Sequence, residues 1–148
     1  MRSFLFAAAA ALLSVTPAVS AEFTSIKAAG SVAETADRLV AAVEGAGANV
    51  FARVPHSKGA MSVDMELQDA ELVIFGNPAL GTPALQQDIR AGLILPLRVL
   101  IHNEDGTTMI TYETVDSMFD GLDIAADAEF RGRMTGALGN LTAAASGM

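Results

Sequence analysis

The stretch VIFGNPALGTPALQQ, residues 73–87, places two turn signals directly after an apolar run. The run is typical of a strand with both faces covered. Gly76-Asn77-Pro78 and Gly81-Thr82-Pro83 follow it within eight residues. Because proline disfavours helical backbone in the residue before it and glycine tolerates a positive φ, the two triplets predict a rigid turn. Thr82 is predicted to cap a helix whose first residue is Pro83.

The residues before this turn predict strands and one clear helix. Ser31-Val32-Ala33-Glu34 is a capping-box pattern, which marks a helix start. Short strands are predicted at 23–28 and 50–54, and residues 56–64 fit either a short helix or a strand. The apolar stripe expected for the helix consists of Val32, Ala36, Leu39, Val40 and Val43.

The residues after the turn predict a hairpin and a final helix. Asp105-Gly106 lies in a short polar gap between strand-like runs at 95–102 and 107–113, which is the strongest hairpin signal in the chain. A last helix is predicted at about 126–145, and we expect close packing against a sheet at Gly132, Gly136 and Gly139. The apolar stripe expected for this helix consists of Phe130, Met134, Ala137, Leu138 and Leu141. The order of elements favours an α+β two-layer sandwich, with a mixed or largely antiparallel sheet and helices on one face.

The first 21 residues have the three parts of a secretory signal peptide. Arg2 supplies a positive charge, Phe4–Val15 is an apolar run interrupted only by Ser14, and small residues precede Ala21. The run is too short for a spanning helix, which needs about 20 apolar residues. We therefore expect cleavage after Ala21, a single domain at 22–148 with no membrane segment, and a periplasmic or secreted location.

Charge and residue types exclude several classes of function. The chain carries a formal charge of −8, and loss of Arg2 with the leader would leave 8 basic against 17 acidic residues. Such an acidic protein is a poor partner for nucleic acid or an anionic membrane surface. The chain has no cysteine, which excludes disulfides and a cysteine nucleophile. The chain has no nucleophile elbow, metalloprotease helix or phosphate loop, and no motif indicates a cofactor.

Four segments of the chain share a pattern with one known family. They are GANVFARVPHSKGA at 47–60, MELQDAELVIFGNP at 65–78, ALGTPALQQ at 79–87 and LPLRVLIHNEDGTTMITY at 95–112. Together they resemble the DUF302 family, a domain family of unknown function. The resemblance covers about residues 23–112, and it implies a compact α+β sandwich that pairs as a homodimer. It implies no settled activity.

The turn after the apolar run is the best candidate for a binding site. A helix beginning at Pro83 would present free amides to an anion or a carbonyl oxygen. The alternative is that Thr82 and Asn77 only bond to their own turn. The leading hypothesis is a non-enzymatic binding or accessory domain that holds a small molecule or a partner peptide through His56, Gly76, Asn77, Pro78, Gly81, Thr82, Pro83 and Gln86.

The two histidines support weaker alternatives. His56 acting as a general acid or base would make the protein a small enzyme. His56 and His102, with Glu66, Glu104 or Glu113, would form a metal carrier, although no ligand spacing supports such a site. The methionines fit core packing better than copper binding. A solvated face is a better interpretation than a calcium site for Asp116, Asp120, Asp123 and Asp127.

Overall fold

The computed structural model describes residues 20–148, so the predicted leader lies almost wholly outside the described residues. The strands are β1 (Phe23–Ala28), β2 (Asn49–Pro55), β3 (Ala70–Gly76), β4 (Leu97–Glu104) and β5 (Thr107–Glu113). The helices are α1 (Val32–Gly45), α2 (His56–Met61), α3 (Pro78–Gln87), α4 (Val115–Met118) and α5 (Glu129–Ser146), and a 3₁₀ helix at Ile89–Leu93 follows α3.

The five strands form one antiparallel sheet in the order β1-β5-β4-β3-β2. Burial alternates along β3 and β4, because successive side chains point to opposite faces. The buried face carries Val73, Phe75, Leu97, Val99 and Ile101. Helices α1 and α5 pack against each other and supply the rest of the core, including Leu39, Val43, Met134 and Leu138. The predicted α+β two-layer fold is confirmed.

Helix α1 begins as the sequence predicts. The Ser31 hydroxyl accepts from the Glu34 amide at 3.2 Å, and the Ser31 amide donates to the Glu34 carboxylate at 2.8 Å. The Ser31 amide and the Ser31 hydroxyl both donate to the Glu34 carboxylate, and these two hydrogen bonds lower the pKa of Glu34. The apolar stripe of α1 lies in the core, with only Val40 left half-buried. The capping box therefore sets the point at which the chain leaves β1 and enters the helical layer.

Arg38 of α1 ties the C-terminal end of α5 to the connection between β1 and α1. Its Nε donates to the Ala145 carbonyl at 2.8 Å, and the guanidinium also donates to the Ala29 carbonyl and the Thr35 hydroxyl. A cation beside the last carbonyls of a helix interacts favourably with the helix dipole. Arg38 therefore holds three separate parts of the chain together.

The hairpin between β4 and β5 is confirmed. Asp105 and Gly106 have φ values of 50° and 84°, which is the backbone of a two-residue type I′ turn. The Gly106 amide donates to the Asn103 side-chain oxygen at 2.9 Å. A glycine at the second turn position avoids the strain that a side chain would have at this φ.

The sheet face opposite α1 and α5 carries no helix within residues 20–148. We call this the outer sheet face. Its half formed by β2, β3 and β4 carries the apolar side chains Ala52, Val54, Leu72, Ile74 and Leu100. The sequence predicted β3 to be covered on both faces, and this prediction is wrong for the single chain because the helices pack on one side only.

Two local expectations are resolved by the structure. Residues 56–61 form the short helix α2, which was one of the two alternatives for that region. The glycines of α5 are exposed, so the prediction that they pack against the sheet is wrong. The core side of α5 is instead the stripe of Phe130, Met134, Leu138, Leu141 and Ala145.

Candidate functional site

Helix α3 begins at Pro78 rather than at Pro83. Asn77 is its N-cap residue, and the Asn77 side-chain oxygen accepts from the Ala79 amide at 2.9 Å. The amides of Leu80 and Gly81 donate to the Asn77 carbonyl at 2.9 and 3.0 Å. The prediction that Thr82 caps the helix is wrong, because Asn77 with Pro78 already forms a complete start five residues earlier.

The predicted anion site is absent, because it required a helix that begins at Pro83. The free amides expected near Pro83 do not exist, since Pro83 lies inside α3 and the first amides of α3 are bonded to Asn77. The second half of the expected turn is therefore helical. The Gly76–Pro83 region still forms one wall of a cavity, and that cavity is apolar.

The cavity, which we call the β3–α3 cavity, has a volume of about 280 Å³. It lies where the end of β3, helix α3, the 3₁₀ helix and the start of β4 meet, with α5 beneath. Its lining is almost wholly apolar. The lining residues are Phe51, Gly76, Asn77, Pro78, Leu80, Gly81, Thr82, Leu85, Gly92, Leu95, Pro96, Leu97 and Met134.

The lining contains two polar side chains, Asn77 and Thr82. The oxygen of the Asn77 amide is used by the Ala79 backbone, which leaves its NH₂ group as a donor. The Thr82 hydroxyl makes no hydrogen bond to any residue in the range 20–148 and is exposed. Two neutral hydrogen-bonding groups therefore lie beside an apolar chamber, which is the usual composition of a small-molecule site.

The predicted site residues divide into two groups. Gly76, Asn77, Pro78, Gly81 and Thr82 line the cavity. Pro83 and Gln86 belong to α3 but are not part of the lining.

His56 does not lie near the cavity. It follows Pro55, which pairs with Glu71, whereas the cavity adjoins Gly76 at the other end of β3. At about 3.3 Å per strand residue, the two ends of β3 are roughly 17 Å apart. The structure therefore gives no support to an enzyme in which His56 acts beside Asn77.

His102 lies on β4, and its Nε2 is 3.0 Å from the Thr111 hydroxyl. Within the described part of the chain, no three His, Cys, Asp or Glu side chains are grouped closely enough to hold a metal ion. The aspartates at 116, 120, 123 and 127 are exposed, and Asp116 pairs with Arg131 at 2.7 Å. Met118 and Met134 are buried, whereas Met61 and Met65 are exposed, so only the first two serve as core residues.

A larger cavity of about 480 Å³ lies at the other end of β2, and its lining is much more polar. Arg53, in its wall, donates to the carboxylates of Glu71 and Asp37, and these hydrogen bonds raise the pKa of Arg53. The charge of Arg53 is thereby already neutralised. The β3–α3 cavity is the stronger candidate, because its mostly apolar lining is typical of a small-molecule site and because five of the predicted site residues line it.

Asp88 fixes the 3₁₀ helix, which contributes Gly92 to the wall of the β3–α3 cavity. Its buried carboxylate accepts from the Arg90 guanidinium, at 2.6 Å for the shortest contact, and from the Arg90 and Asp123 amides at 2.9 Å each. The hydrogen bonds from Arg90, followed by those from the Asp123 and Arg90 backbone, hold the pKa of Asp88 well below its ordinary value of 3.8. Asp88 thus connects α3, the 3₁₀ helix and the 121–127 loop.

We expect Asp88→Asn to destabilise the protein at neutral pH. Because the folded pKa of Asp88 is lowered, its contribution is complete above the unfolded pKa of about 4 and is lost as the pH falls toward the folded value. The difference in Tm between wild type and Asp88→Asn should therefore be larger at about pH 7 than at about pH 3. Thermal unfolding followed by circular dichroism measures it, with the exposed Asp127→Asn as the control. A Tm difference that is the same at both pH values would contradict this role.

Several lining residues were not predicted as site residues. Phe51, Leu80, Leu85 and Met134 come from three different elements, and Leu95-Pro96-Leu97 precedes and begins β4. The sequence places Met134 in the stripe of the last helix, but no spacing shows that this stripe reaches the end of β3. Their common position depends on tertiary packing, which single-chain periodicity does not report.

Comparisons with known proteins agree with this architecture. The crystal structure of an uncharacterized conserved DUF302 protein from Bacillus stearothermophilus has a TM-score of 0.76 to this chain, with 16% sequence identity. The match covers 83% of this chain and 97% of that one. At this identity the similarity concerns the fold alone.

Two curated relatives are named as ion channels. The fluoride-specific ion channels FluC 1 of Brucella suis and FluC 2 of Brucella melitensis are each 34% identical to this chain over 133 residues. The match covers 87% of this chain but 52% and 48% of those proteins, so the chain spans about half of their length. No helix found between residues 20 and 148 combines the length and apolar character needed to cross a membrane.

The family assignment extends over nearly all of the described residues. Residues 24–144 match the family described as Domain of unknown function DUF302. This range includes β2 to β5, all of β1 except Phe23, the β3–α3 cavity and most of α5. The chain therefore belongs to the DUF302 family.

Proposed function

We propose that this protein is a small-molecule-binding domain whose ligand occupies the β3–α3 cavity. The observation that supports the proposal is an apolar cavity of about 280 Å³ that is walled by the Gly76–Thr82 region. No charged side chain lines it, so the preferred ligand is largely apolar. The leader pattern supports action outside the cytoplasm, in the periplasm or after secretion.

The cavity is large enough for useful affinity. An apolar cavity of about 150 Å³ holds benzene, so 280 Å³ accommodates roughly eleven heavy atoms. A ligand of that size buries about 200–250 Å², which is the area of a large aromatic side chain. At about 25 cal/mol per Å² this gives roughly 5–6 kcal/mol, which is an upper bound because the ligand loses translational and rotational freedom, so apolar burial alone gives a Kd no tighter than about 40 µM.

Direct binding of 2-naphthol tests the proposal. This neutral molecule is fluorescent, and equilibrium dialysis, with free 2-naphthol measured in the compartment without protein, keeps the tryptophan added in the variants below out of the signal. We expect saturable binding to the wild type and at least about tenfold weaker binding to Leu85→Trp, because the larger side chain fills the cavity.

Leu67→Trp is the matched control, since Leu67 is exposed and lies outside the cavity lining. It should bind 2-naphthol as the wild type does. Absence of saturable binding to the wild type, or unchanged binding to Leu85→Trp with its circular dichroism spectrum preserved, would overturn the proposed function.

We also propose that two copies pair through the outer sheet face. The face combines the apolar side chains of β2, β3 and β4 with Lys27, Arg98, Glu104 and Glu113, so its charges balance. The whole chain carries −8, and a locally neutral apolar surface is where two equally acidic copies repel each other least. A second copy would cover the apolar face of β3 that the helices leave open.

Ile74→Lys tests this pairing, because Ile74 is in the apolar half of the outer sheet face. We expect the wild type to sediment as a dimer and the variant to dissociate at least about tenfold more readily, since a buried unpaired lysine is unfavourable. Ile89→Lys, on the exposed surface of the 3₁₀ helix, is the control and should remain dimeric. A monomeric wild type at high micromolar concentration would contradict the proposal.

A further inference from the structure

Three glycines line the β3–α3 cavity, and each faces an apolar side chain of its wall. A Cβ atom at Gly76 would lie 3.5 Å from Phe51 Cε2 and from Pro96 Cβ. At Gly81 it would lie 3.8 Å from Leu95 Cδ1, and at Gly92 it would lie 3.8 Å from Leu85 Cδ2. These are ordinary van der Waals contacts, so each position has room for a methyl group and leaves that room empty.

The backbone does not require glycine at these three positions. The glycines with positive φ are at 30, 47, 106, 121 and 147, and none of the cavity glycines is among them. Gly81 lies within α3, where alanine would favour the helix. The structural effect of glycine at these positions is therefore a wider cavity than alanine would leave.

Glycines elsewhere in the helices show the contrast. A Cβ at Gly59, Gly132, Gly136 or Gly139 would meet no atom within 4 Å, so these positions face open space. A missing side chain at Gly76, Gly81 or Gly92 therefore enlarges the cavity, whereas a missing side chain at the exposed helical glycines does not.

The two polar side chains of the lining indicate what kind of polar group a ligand carries. Asn77, the N-cap residue of α3, and Thr82, five residues further along the chain, both line the cavity, and both are neutral. The Asn77 NH₂ group can donate, and the Thr82 hydroxyl can donate or accept. A charged headgroup would find no counter-charge in the lining, whereas a hydroxyl or carbonyl oxygen would find a partner.

From these observations we propose a ligand class, and the proposal rests on the proposed function above. The cavity accepts a slender neutral molecule of roughly eleven heavy atoms with one hydroxyl or carbonyl group at its end. Asn77 and Thr82 receive the polar group. Gly81 and Gly92 set the length limit, because a methyl group at either position would occupy space that the ligand chain needs.

Displacement of bound 2-naphthol by straight-chain alcohols, from hexanol to dodecanol, tests the length limit. In the wild type, affinity should rise with each carbon and level off near decanol, where the cavity is full. In Gly81→Ala and Gly92→Ala the levelling point should move down by about one carbon, since an added methyl displaces about one methylene. Gly136→Ala, on the exposed side of α5, is the matched control and should keep the wild-type profile.

A second arm tests the headgroup with octanol, octylammonium and octanoate. Both charged compounds should displace 2-naphthol at least about tenfold less well than octanol. Failure of 2-naphthol to bind the wild type would overturn the proposed function itself. Normal 2-naphthol binding with an unchanged levelling point in both glycine variants, or with equal displacement by octylammonium, would overturn the ligand class and leave the proposed function standing.

Discussion

Replacing Phe75 with alanine is expected to lower the free energy of unfolding by about 3–5 kcal/mol. Phe75 is 1% exposed and pairs with Val50 and Leu97 on the neighbouring strands, so the vacated space lies between the sheet and the helices. A strand in the middle of a sheet cannot move inward to fill such a cavity without breaking its ladders. Urea unfolding at neutral pH measures the difference.

Phe51→Ala is the matched control, because it removes the same side chain from β2 at a position that is 57% exposed. It is expected to cost less than about 1 kcal/mol. It should nevertheless weaken 2-naphthol binding, since Phe51 lines the β3–α3 cavity. Equal destabilisation by the two substitutions would show that Phe75 is not the packing centre that the burial pattern indicates.

Replacing Arg38 with methionine is expected to cost about 2–4 kcal/mol. The substitution keeps much of the apolar stem and removes the donors to Ala145, Ala29 and Thr35. Each of these acceptors is then left without its charged partner, and hydrogen bonds to charged groups contribute about 1.5–3 kcal/mol each before relaxation. Hydrogen exchange should show faster opening at the C-terminal turn of α5 and at the Ala29 amide, which donates to Ser146.

Arg133→Met provides the control for a lost arginine. Arg133 is exposed, and its contact with Glu129 one turn earlier in α5 is 3.9 Å long. Exposed pairs of this kind contribute about 0.3–0.5 kcal/mol. A cost for Arg38→Met no greater than that for Arg133→Met would contradict the view that Arg38 ties α5 to α1.

The elements predicted best from sequence are those whose signals are local. The capping box at Ser31, the Asp105-Gly106 turn and the stripe of the last helix are each determined by neighbouring residues. Each signal satisfies or constrains backbone groups within one turn, so tertiary packing has little scope to change it. The fold class followed from their order.

The start of α3 shows where such signals compete. Asn77-Pro78 and Thr82-Pro83 are both a capping residue followed by proline, and either pair can begin a helix. The first pair prevails, because the helix accommodates Gly81 and Pro83 in its interior while the Asn77 oxygen caps it. Sequence alone gives no energy by which to choose between two such starts.

The candidate site was predicted in part. The Gly76–Thr82 wall of the cavity was identified, because glycines and prolines clustered after a strand are unusual. The opposite wall, which includes Leu85, Leu95 and Met134, consists of ordinary apolar residues. Such residues become site residues only through their distance to one another in the fold, and that distance is not encoded in any local pattern.

The pairing of β1 with β5 has a consequence for the order in which the molecule assembles. Phe23 is opposite Glu113, so the first strand has no partner until residues far along the chain have been made. Contacts this distant in sequence form slowly, because a long loop must close before they contribute. The first strand can therefore join the sheet only after β5 has formed, so we expect closure of this edge of the sheet to be a late step in folding.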